Sequence, residues 1–531
     1  MRVPGLYQWS ERIRLLVAAS SCAAFTYACV VVGAARAQTT KEAAGAARPG
    51  FGLATRYRFR ESYSTKEDAA RPRDLVQYRV AIRERLKNTV EQKKGAPQQI
   101  ETTYQTIYRE RPAEVGEAGD VLALVRRYET FLADPDPFLK PGEPRLFEGE
   151  TLWIRPKLLS DPEVLLIAGK RGMRDFEYET ISHQISMTEL ATLLPSLPTR
   201  IGDRWRAARS ATRALLGQTV PGDPLVATLA SVQPDPKSSA MIATFDVTGR
   251  YEMGEDAHSV ALNARILFRF DPNAKPPAAD PKAAPAASNA APTDDAVSAA
   301  GEIFELRMAR VTVLLTAADA TQRLHARETR DVVLQRVRAP LADKETLALP
   351  ATPPAADDRN SWLTYDDPQR RFHFRHPESL RPIPAQSSDD VALAEVTPQG
   401  NNTFAMRFVA KSPNPALQKR NADPGFFVKA LEDEWSQSQI DFRKGPSEWL
   451  PEADWKPLNL RVHHYEAALM PDPKAPRSSK RILVDHFFIQ TTHEESFIVT
   501  ATTDLDPPAP YRRKVDAIIK TLRFGSSLQP E

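Results

Sequence analysis

The sequence predicts an α+β protein that is mainly β: a large curved antiparallel β-sheet body with short helices, followed by a smaller α/β/α sandwich. Apolar and polar residues alternate with a period of two along many stretches before residue 338, as half-buried strands require. After residue 361, strand patterns mix with amphipathic helix patterns. A joint with four prolines, residues 339–360, separates the two parts, and we expect it to be extended and exposed.

The composition is that of a globular protein. Of the 531 residues, 42% are hydrophobic and 26% are charged. Residues 1–37 contain four arginines and one glutamate, so this segment accounts for the whole formal charge of +3. The rest of the chain is formally neutral, which argues against binding to nucleic acid through a general positive field.

Residues 1–37 have the three parts of a secretory signal in the required order. Arginines at positions 2, 12 and 14 precede an uncharged apolar run, residues 15–35. Ala35 and Ala37 then lie three and one positions before a cleavage site, which predicts a mature chain that starts at Gln38. We therefore expect an exported protein, periplasmic or extracellular.

Two other interpretations of this segment are weaker. The apolar run is long enough to act as an uncleaved membrane anchor, but the small-residue site favours cleavage. A lipid-modified Cys22 lacks the large apolar residue expected three positions upstream. Cys22 and Cys29 are the only cysteines, so the mature chain would have no disulfide, cysteine nucleophile or thiolate metal site. No later segment is long and apolar enough to span a membrane.

The first body is predicted over residues 51–338, after a flexible lead-in, 38–50. In its first strand, Tyr57 and Phe59 alternate with Arg56, Arg58 and Arg60. The arginine row could face an anionic glycan or lipid headgroup, but a solvated strand face is the more ordinary interpretation. Strands are predicted at 56–63, 76–82, 100–108, 121–131, 163–168, 225–232, 240–251, 258–270, 302–316 and 322–337.

Two short helices interrupt these strands, at 187–194 and at 207–216, where Gly217 is a good stop. Between them, a turn at Gly202 and Asp203 is expected to send Trp205 into the core. The Ala/Pro stretch 271–300 has almost no large side chain to bury, so we expect a disordered hairpin tip.

The order of strands, a Leu-Leu-Pro tract, the sequence Ile201-Gly202-Asp203-Arg204-Trp205, a short helix and a β-meander is similar to uncharacterised secreted proteins of planctomycete-type bacteria. The resemblance implies an exported β domain. It implies no activity, and no functional residue carries over.

The second body is predicted over residues 361–527, with strands at 362–365, 372–377, 391–396, 403–410, 458–469, 481–490 and 496–503. Asp423 can cap a helix that begins at Pro424, with Phe427, Leu431 and Trp435 on one face. In the closing helix, four apolar residues share a face that should dock on the sheet: Val515, Ile518, Ile519 and Leu522.

This body resembles the Mog1/PsbP-like α/β/α sandwich over about residues 361–526. The resemblance rests on Trp362-x-x-Tyr365, on Phe372-x-Phe374-x-x-Pro377 and on the final hairpin, helix and Leu522-Arg-Phe524. It implies an accessory or binding module, of the kind found in some photosystem assemblies. It identifies no binding residue.

No common catalytic motif is present: there is no Gly-x-Ser-x-Gly, His-Glu-x-x-His, phosphate loop or Ser-x-x-Lys. The acid pairs Asp357-Asp358, Asp366-Asp367 and Asp389-Asp390 are near prolines or in predicted loops, where we expect them to be solvated. Six histidines follow the joint: His373, His376, His463, His464, His486 and His493.

Adjacent strand residues point to opposite faces, so His463 and His464 should not share a metal ion. His464 and His486 could be cross-strand neighbours. Because a metal site needs three or four convergent ligands, we expect ordinary histidines and assign no catalytic, cofactor-binding or metal residue.

These observations predict an exported, non-catalytic binding or scaffolding protein of the bacterial periplasm or envelope, without a cofactor. Its partner would be an envelope protein or an apolar or lipid ligand. A first alternative is a carrier of lipid, which predicts a hollow concave face on the β body. A second alternative is an enzyme with an unfamiliar site, which predicts perturbed carboxylates or histidines that converge in a cleft.

Overall fold

The structure is a computed structural model of the chain. It describes residues 55–61, 76–90, 97–116, 121–134, 148–157, 161–168, 172–217, 220, 224–253, 258–273, 296–319, 322–339, 346–357, 360–367, 371–384, 390–396, 402–411, 423–438, 440–470, 481–491, 496–503 and 509–524. The predicted signal segment with Ala35, Ala37 and Gln38, and the lead-in 38–50, lie outside the described residues.

Contacts between residues divide the chain into two units, which we call the β unit and the sandwich unit. The β unit contains the described residues from 55 to 168 and from 179 to 355. The sandwich unit contains those from 172 to 178 and from 356 to 524. Residues 172–178, here called the strap, belong to the sandwich unit although they precede the joint. The predicted range 51–338 differs from the contact division at this segment.

A single large sheet makes up most of the β unit. Its strands are β1 (Arg56–Glu61), β2 (Gln77–Val90), β3 (Gln98–Val115), β4 (Val121–Asp134), β5 (Thr151–Arg155), β6 (Glu163–Ala168), β8 (Arg204–Arg206), β9 (Leu225–Pro234), β10 (Met241–Met253), β11 (His258–Phe270), β12 (Ala296–Asp319) and β13 (Gln322–Ala339). Their order is β6-β5-β4-β3-β2-β13-β12-β11-β10-β9-β8. Two antiparallel meanders meet where β2 pairs with β13. The mainly β, antiparallel fold class is confirmed.

Strand β1 joins this sheet by parallel pairing with the start of β12, from Arg56 opposite Ala296 to Glu61 opposite Gly301. Residues 296–300 are therefore strand, and the prediction of disorder over 271–300 is wrong at this end. Residues 274–295 of that prediction lie outside the described residues.

The aromatic side of β1 belongs to the core. Tyr57 and Phe59 are buried, whereas the arginines between them are exposed, because side chains alternate across a strand. The Phe59 ring meets Phe245 edge to face at 5.0 Å and Phe268 at 5.7 Å. The aromatic residues thus fill one face of the sheet, as the alternation predicts.

The described part of the chain before the joint contains helices α1 (Asp175–His183), α2 (Met187–Ala191) and α3 (Arg209–Leu216). Helix α3 ends at Gly217, whose φ of +75° fits the left-handed conformation that glycine adopts without strain. The predicted turn is present at Gly202, and Asp203 accepts a hydrogen bond from the Arg200 amide at 2.8 Å. Trp205 is only half-buried, and its indole donates to the Leu193 carbonyl at 2.8 Å.

The joint 339–360 is not exposed along its whole length. Leu347 is 4% exposed and packs in a cluster with Ala123, Val125, Trp153 and Leu165 of the β unit. Its amide donates to the Gln77 side chain at 2.6 Å, and its carbonyl accepts from Arg111 at 3.0 Å. The expectation of an exposed joint was wrong here because one apolar side chain and two backbone groups find partners on the sheet.

The sandwich unit contains two sheets. Its strands are β7 (Met173–Arg174), β14 (Trp362–Asp366), β15 (Phe372–Pro377), β16 (Arg381–Pro384), β17 (Asp390–Val396), β18 (Asn402–Lys411), β19 (Phe442–Trp449), β20 (Leu460–Leu469), β21 (Ile482–Thr491), β22 (Ser496–Thr503) and β23 (Arg523–Phe524). Its helices are α4 (Pro424–Gln437), α5 (Glu452–Trp455) and α6 (Ala509–Ile519). The sheet orders are β16-β17-β18-β22-β21-β20-β19 and β23-β15-β14-β7.

The larger sheet lies between two layers. On one face, Val515, Ile518 and Ile519 of α6 share a core cluster with Val462 and Phe487 of the sheet. On the other face, Trp435 of α4 packs with Tyr465, Ala467 and Val484. The smaller sheet joins the first layer, where the Phe374 ring stacks on Phe408 at 4.2 Å. The predicted sandwich and both predicted helix faces are present.

The strap completes the smaller sheet. Strand β7 pairs in parallel with β14, with Met173 opposite Leu363 and Arg174 opposite Thr364. Asp175 then contacts the buried ring of His376, with 2.9 Å between Oδ2 and Nε2. The Tyr178 hydroxyl donates to Glu378 at 2.8 Å. All seven strap residues are buried or half-buried, and their contacts place them in the sandwich unit.

We predict that Leu347→Ala lowers the free energy of unfolding of the β unit by about 2–3 kcal/mol, because it leaves a cavity in an apolar cluster. Calorimetric or denaturant unfolding of the full chain measures the change. The adjacent exposed position supplies a control, Ala348→Ser, which should change stability by less than about 0.5 kcal/mol. Equal stability of Leu347→Ala and wild type would show that the joint does not dock.

Candidate functional site

A cleft of about 220 Å³ opens in the sandwich unit beside α5, α6 and the sheet face that α6 covers. We call it the His464 cleft. It is lined by Leu450, Pro451, Asp454, Trp455, His464, Asp485, Phe487, Arg512, Val515, Asp516 and Lys520. Apolar walls with a few charged groups are typical of sites that bind small molecules.

Two adjacent strands place a histidine and an aspartate on the floor of the cleft. His464 of β20 lies opposite Phe487 of β21, and Asp485 is two residues earlier on the same strand. The His464 Nε2 atom is 2.7 Å from Asp485 Oδ1, and the imidazole stacks on the Phe487 ring at 4.7 Å. The Asp485 side chain is 2% exposed, and its carboxylate also accepts a hydrogen bond from the Tyr511 hydroxyl of α6.

Helix α6 supplies the opposite wall. Arg512, Asp516 and Lys520 follow one another at intervals of four residues, so they share one side of the helix and its C-terminal end. Arg512 forms a 2.5 Å ion pair with Glu466 of the sheet. Asp516 lies at the rim, yet the surrounding protein displaces enough water to raise the pKa of its carboxyl.

An aromatic residue of α6 lies close to the floor of the cleft. Tyr511 is 2% exposed. Burial, followed by the negative charge of Asp485, raises the pKa of its phenol, so the hydroxyl keeps its proton. Asp485 therefore lies beside a neutral hydroxyl and an imidazole, and it also interacts with the charge of the Arg512 guanidinium.

Helix α5 forms the third side. Trp455 is 3% exposed, and the Lys520 ammonium lies 6.0 Å from its ring centroid. That distance is at the limit of a cation–π contact. The cleft therefore combines an aromatic wall, a buried acid and a cation within one small volume.

The histidine predictions were partly right. His463 and His464 point to opposite faces, as expected. His464 and His486 are not cross-strand neighbours, because His486 lies opposite Tyr465. A register difference of one residue places them on opposite faces of the sheet. His486 packs on the α4 face, where its Nδ1 is 3.0 Å from the Thr500 hydroxyl.

The other candidate residues have structural surroundings. His376 is fully buried between Asp175 and the Pro377 carbonyl. Asp367 is 3% exposed and accepts hydrogen bonds from the Arg371 amide and guanidinium, so the expectation that this acid is solvated was wrong. The predictions for Asp358, Asp389 and His493 lie outside the described residues.

Sequence reasoning missed most of the cleft. Asp485 offered one usable signal, since it is a lone charge within the apolar run Ile482–Thr491, and charges in such runs are seldom fully buried without a partner. The α6 residues of the wall offered no such signal, because a row of alternating acidic and basic residues along one side of a helix normally faces solvent. Their role depends on the position of α5, which no periodicity predicts.

Buried charged side chains lie on the face of the large sheet that carries Tyr78. Arg336 pairs with Glu61 and stacks 3.6 Å from the Tyr78 ring, and Arg126 pairs with Glu110 at 3.0 Å. Two cavities beside these residues measure about 30 and 20 Å³. Neither is large enough for a lipid chain, and the buried charges that line them are unfavourable for one.

Among the described residues, no helix is long and apolar enough to cross a membrane. In the same part of the chain, no group of three or more histidine, cysteine, aspartate and glutamate residues is placed to hold a metal ion.

No protein-family model and no curated protein matches the sequence. Among solved structures, the chain is similar to lipovitellin, at 9% identity and a TM-score of 0.25, over 54% of this chain and 27% of that chain. It is also similar to OpdQ of Pseudomonas aeruginosa, at 8% identity and a TM-score of 0.11, over 80% of this chain and 96% of that chain.

A porin of Rh. blastica is similar at 8% identity and a TM-score of 0.11, over 80% of this chain and 98% of that chain. Likenesses of this degree assign no family and support no statement about function.

We predict a loss of stability on acidification that depends on His486. Burial, followed by the positive charges of His463 and His464, lowers its pKa from 6.5 to about 4. Thr500, Tyr465 and His463 face it from the adjacent strands. The unfolded chain therefore binds this proton first, and stability falls from about pH 6.5 to about pH 4 by about 3 kcal/mol.

Denaturant unfolding at a series of pH values measures this slope, and His486→Gln should flatten it. The control His373→Gln changes a half-buried histidine of β15 and should keep the slope. Equal slopes in wild type and His486→Gln would contradict the assignment.

Proposed function

We propose that the protein is an exported, non-catalytic binding protein of the bacterial periplasm or envelope, and that the His464 cleft holds its ligand. The observation that supports this most directly is the lining of the cleft. A volume of about 220 Å³ is bounded by the buried aromatic side chains of Trp455 and Phe487 and by the charged groups of Asp485, Asp516 and Lys520. Apolar walls with a few polar groups are typical of sites that bind small molecules.

Two sequence features support the rest of this proposal. Export rests on the order of charged, apolar and small residues before Gln38. The role as a binding module agrees with the resemblance of the second body to Mog1/PsbP-like modules, which serve as accessory or binding modules.

Catalysis through an acylated serine, threonine or cysteine is disfavoured, because none of the residues that line the cleft is of these types. One observation favours catalysis as a second candidate. The contact of His464 Nε2 with Asp485 orients the imidazole so that Nδ1 could accept a proton from a bound water, as a general base does.

The lipid-carrier alternative is less favoured. It needs an apolar hollow in the β unit, whereas the face of the large sheet that carries Tyr78 holds buried ion pairs, with cavities of about 30 and 20 Å³ beside them. A lipid chain at this place would separate the buried charges from their partners. A buried charge without a partner is strongly destabilising.

The test is a ligand-observed NMR screen of small polar molecules against the full chain purified from a bacterial host. We expect hits that disappear in Asp516→Trp, because a bulky side chain at the rim closes the cleft. Arg513→Trp is the control, since this exposed residue of the same helix does not line the cleft and should keep the hits. The intact mass of the same preparation should be that of a chain that begins at Gln38.

A screen in which no hit depends on position 516 would contradict the binding site. Consumption of a hit over time by wild type, but not by His464→Gln, would contradict the non-catalytic assignment and favour the second candidate.

A further inference from the structure

Strand β19 is a free edge of the larger sheet of the sandwich unit. It is the last strand in the sheet order, and where the structure describes the chain no strand pairs with its other side. Its residues from Arg443 to Trp449 are all exposed. A free edge presents backbone groups that can pair with a strand of another chain. None of the residues of β19 lines the His464 cleft, so this surface is separate from the proposed ligand site.

The hydrogen bonds just beyond the two ends of β19 show which of its backbone groups point away from β20. The Leu450 amide donates to the Val462 carbonyl, and the Met470 amide donates to the Asp441 carbonyl, each at 2.8 Å. Pairs along an antiparallel ladder alternate between hydrogen-bonded and non-hydrogen-bonded pairs. Counting inward from both ends gives the residues of β19 whose backbone groups point outward. They are Phe442, Lys444, Ser447 and Trp449.

These outward groups match a second copy of the same strand. When two copies of β19 run antiparallel about a two-fold axis at the middle of the strand, Phe442 lies opposite the partner's Trp449. Lys444 then lies opposite the partner's Ser447. Every outward residue faces another outward residue, as the hydrogen-bonded pairs of a ladder require. No other antiparallel register of β19 with itself pairs all four.

The middle of the strand suits this axis. The register of β19 on β20 shifts between Lys444 and Ser447, which leaves Gly445 and Pro446 in the irregular part of the strand. In the two-fold arrangement, Pro446 lies opposite the partner's Gly445. Proline has no amide hydrogen to donate, and glycine has no side chain to obstruct the neighbouring backbone. Proline and lysine at an edge discourage pairing with unrelated strands, and this register accommodates both.

The charges of β19 favour the same register. Arg443 and Glu448 are exposed, and each lies directly opposite the other residue of the partner, twice by symmetry. These are non-hydrogen-bonded pairs, in which the side chains approach most closely, and opposite charges stabilise such pairs. Sliding one strand by two residues in one direction would place Glu448 opposite the partner's Asp441. In the other direction it would place Glu448 opposite the partner's Gly445.

The aromatic residues at the two ends of β19 also complement each other. Trp449 is 40% exposed, and its ring is positioned by the Arg461 guanidinium at 4.4 Å and by His463 at 5.4 Å. Phe442 packs on the Trp435 ring of α4 at 5.1 Å. Trp449 and Phe442 lie on the face of the sheet that α4 covers. In the two-fold arrangement each therefore gains a cross-strand aromatic neighbour.

We propose that the edge formed by β19 pairs with a second copy of this chain, so that the seven-stranded sheets of two sandwich units continue into each other about a two-fold axis. The occupant is a second copy because β19 matches its own outward backbone groups, its own charges and its own aromatic residues. The inference goes beyond the proposed function, since it concerns a different surface of the unit.

Sedimentation equilibrium of the full chain over a range of concentrations tests the association, and we expect a reversible dimer. Arg443→Glu should weaken it at least tenfold, because like charges then lie opposite each other at two places. Glu448→Arg should have the same effect. Combining Arg443→Glu with Glu448→Arg restores opposite charges and should recover the affinity. Arg513→Glu is the control, since it makes the same change at an exposed residue of α6 and should leave the dimer unchanged.

Cross-linking tests the register. Arg443→Cys combined with Glu448→Cys creates pairs whose Cα atoms are ~4.5 Å apart, within reach of a disulfide, so oxidation should yield a covalent dimer. Lys444→Cys combined with Glu448→Cys is the mismatched control, because these side chains point to opposite faces of the sheet. It should yield far less covalent dimer.

A chain that stays monomeric at every concentration would overturn the proposal and leave the edge to an extended peptide of another protein. A dimer of unchanged affinity in both Arg443→Glu and Glu448→Arg would also overturn it, because the contact would then lie elsewhere. Equal cross-linking in the two cysteine variants would overturn the register.

Discussion

The contact between Asp175 and the buried ring of His376 holds the strap against the smaller sheet of the sandwich unit. The strap adds β7 to the smaller sheet. That sheet carries Phe372 and Phe374 into the core that α6 also enters. Helix α6 in turn presents the charged wall of the His464 cleft. A segment encoded before the joint therefore supports a site encoded after it.

Both units follow one rule about buried charge: an ionised group is tolerated in the interior when a partner compensates it. In the β unit, Arg126 and Arg336 satisfy this rule with acids and with the faces of tyrosine rings. Asp485 satisfies it with the His464 imidazole and the Tyr511 hydroxyl. The cleft is assigned the ligand because its volume is about 220 Å³, whereas the two cavities beside the buried ion pairs of the β unit measure about 30 and 20 Å³.

Alternating patterns predicted the strands well, because each strand has one buried face. Strands β11 and β22 match the predicted ranges 258–270 and 496–503. Strand β19 was missed because Phe442–Trp449 is exposed along nearly its whole length and has no alternation. The two-residue strand β7 is too short for any pattern. The cleft could not be predicted, since its residues come from β20, β21, α5 and α6 and meet only through tertiary packing.

Hydrogen exchange of the full chain, measured by mass spectrometry, tests most directly whether the strap is part of the sandwich unit. Phe374→Ala should destabilise that unit by about 3–5 kcal/mol, because the ring is fully buried. We expect faster exchange at residues 172–178 together with β14, while β5 and β6, on the β unit, stay protected as in wild type. Unchanged protection of residues 172–178, with exchange increased in β14 alone, would contradict the account.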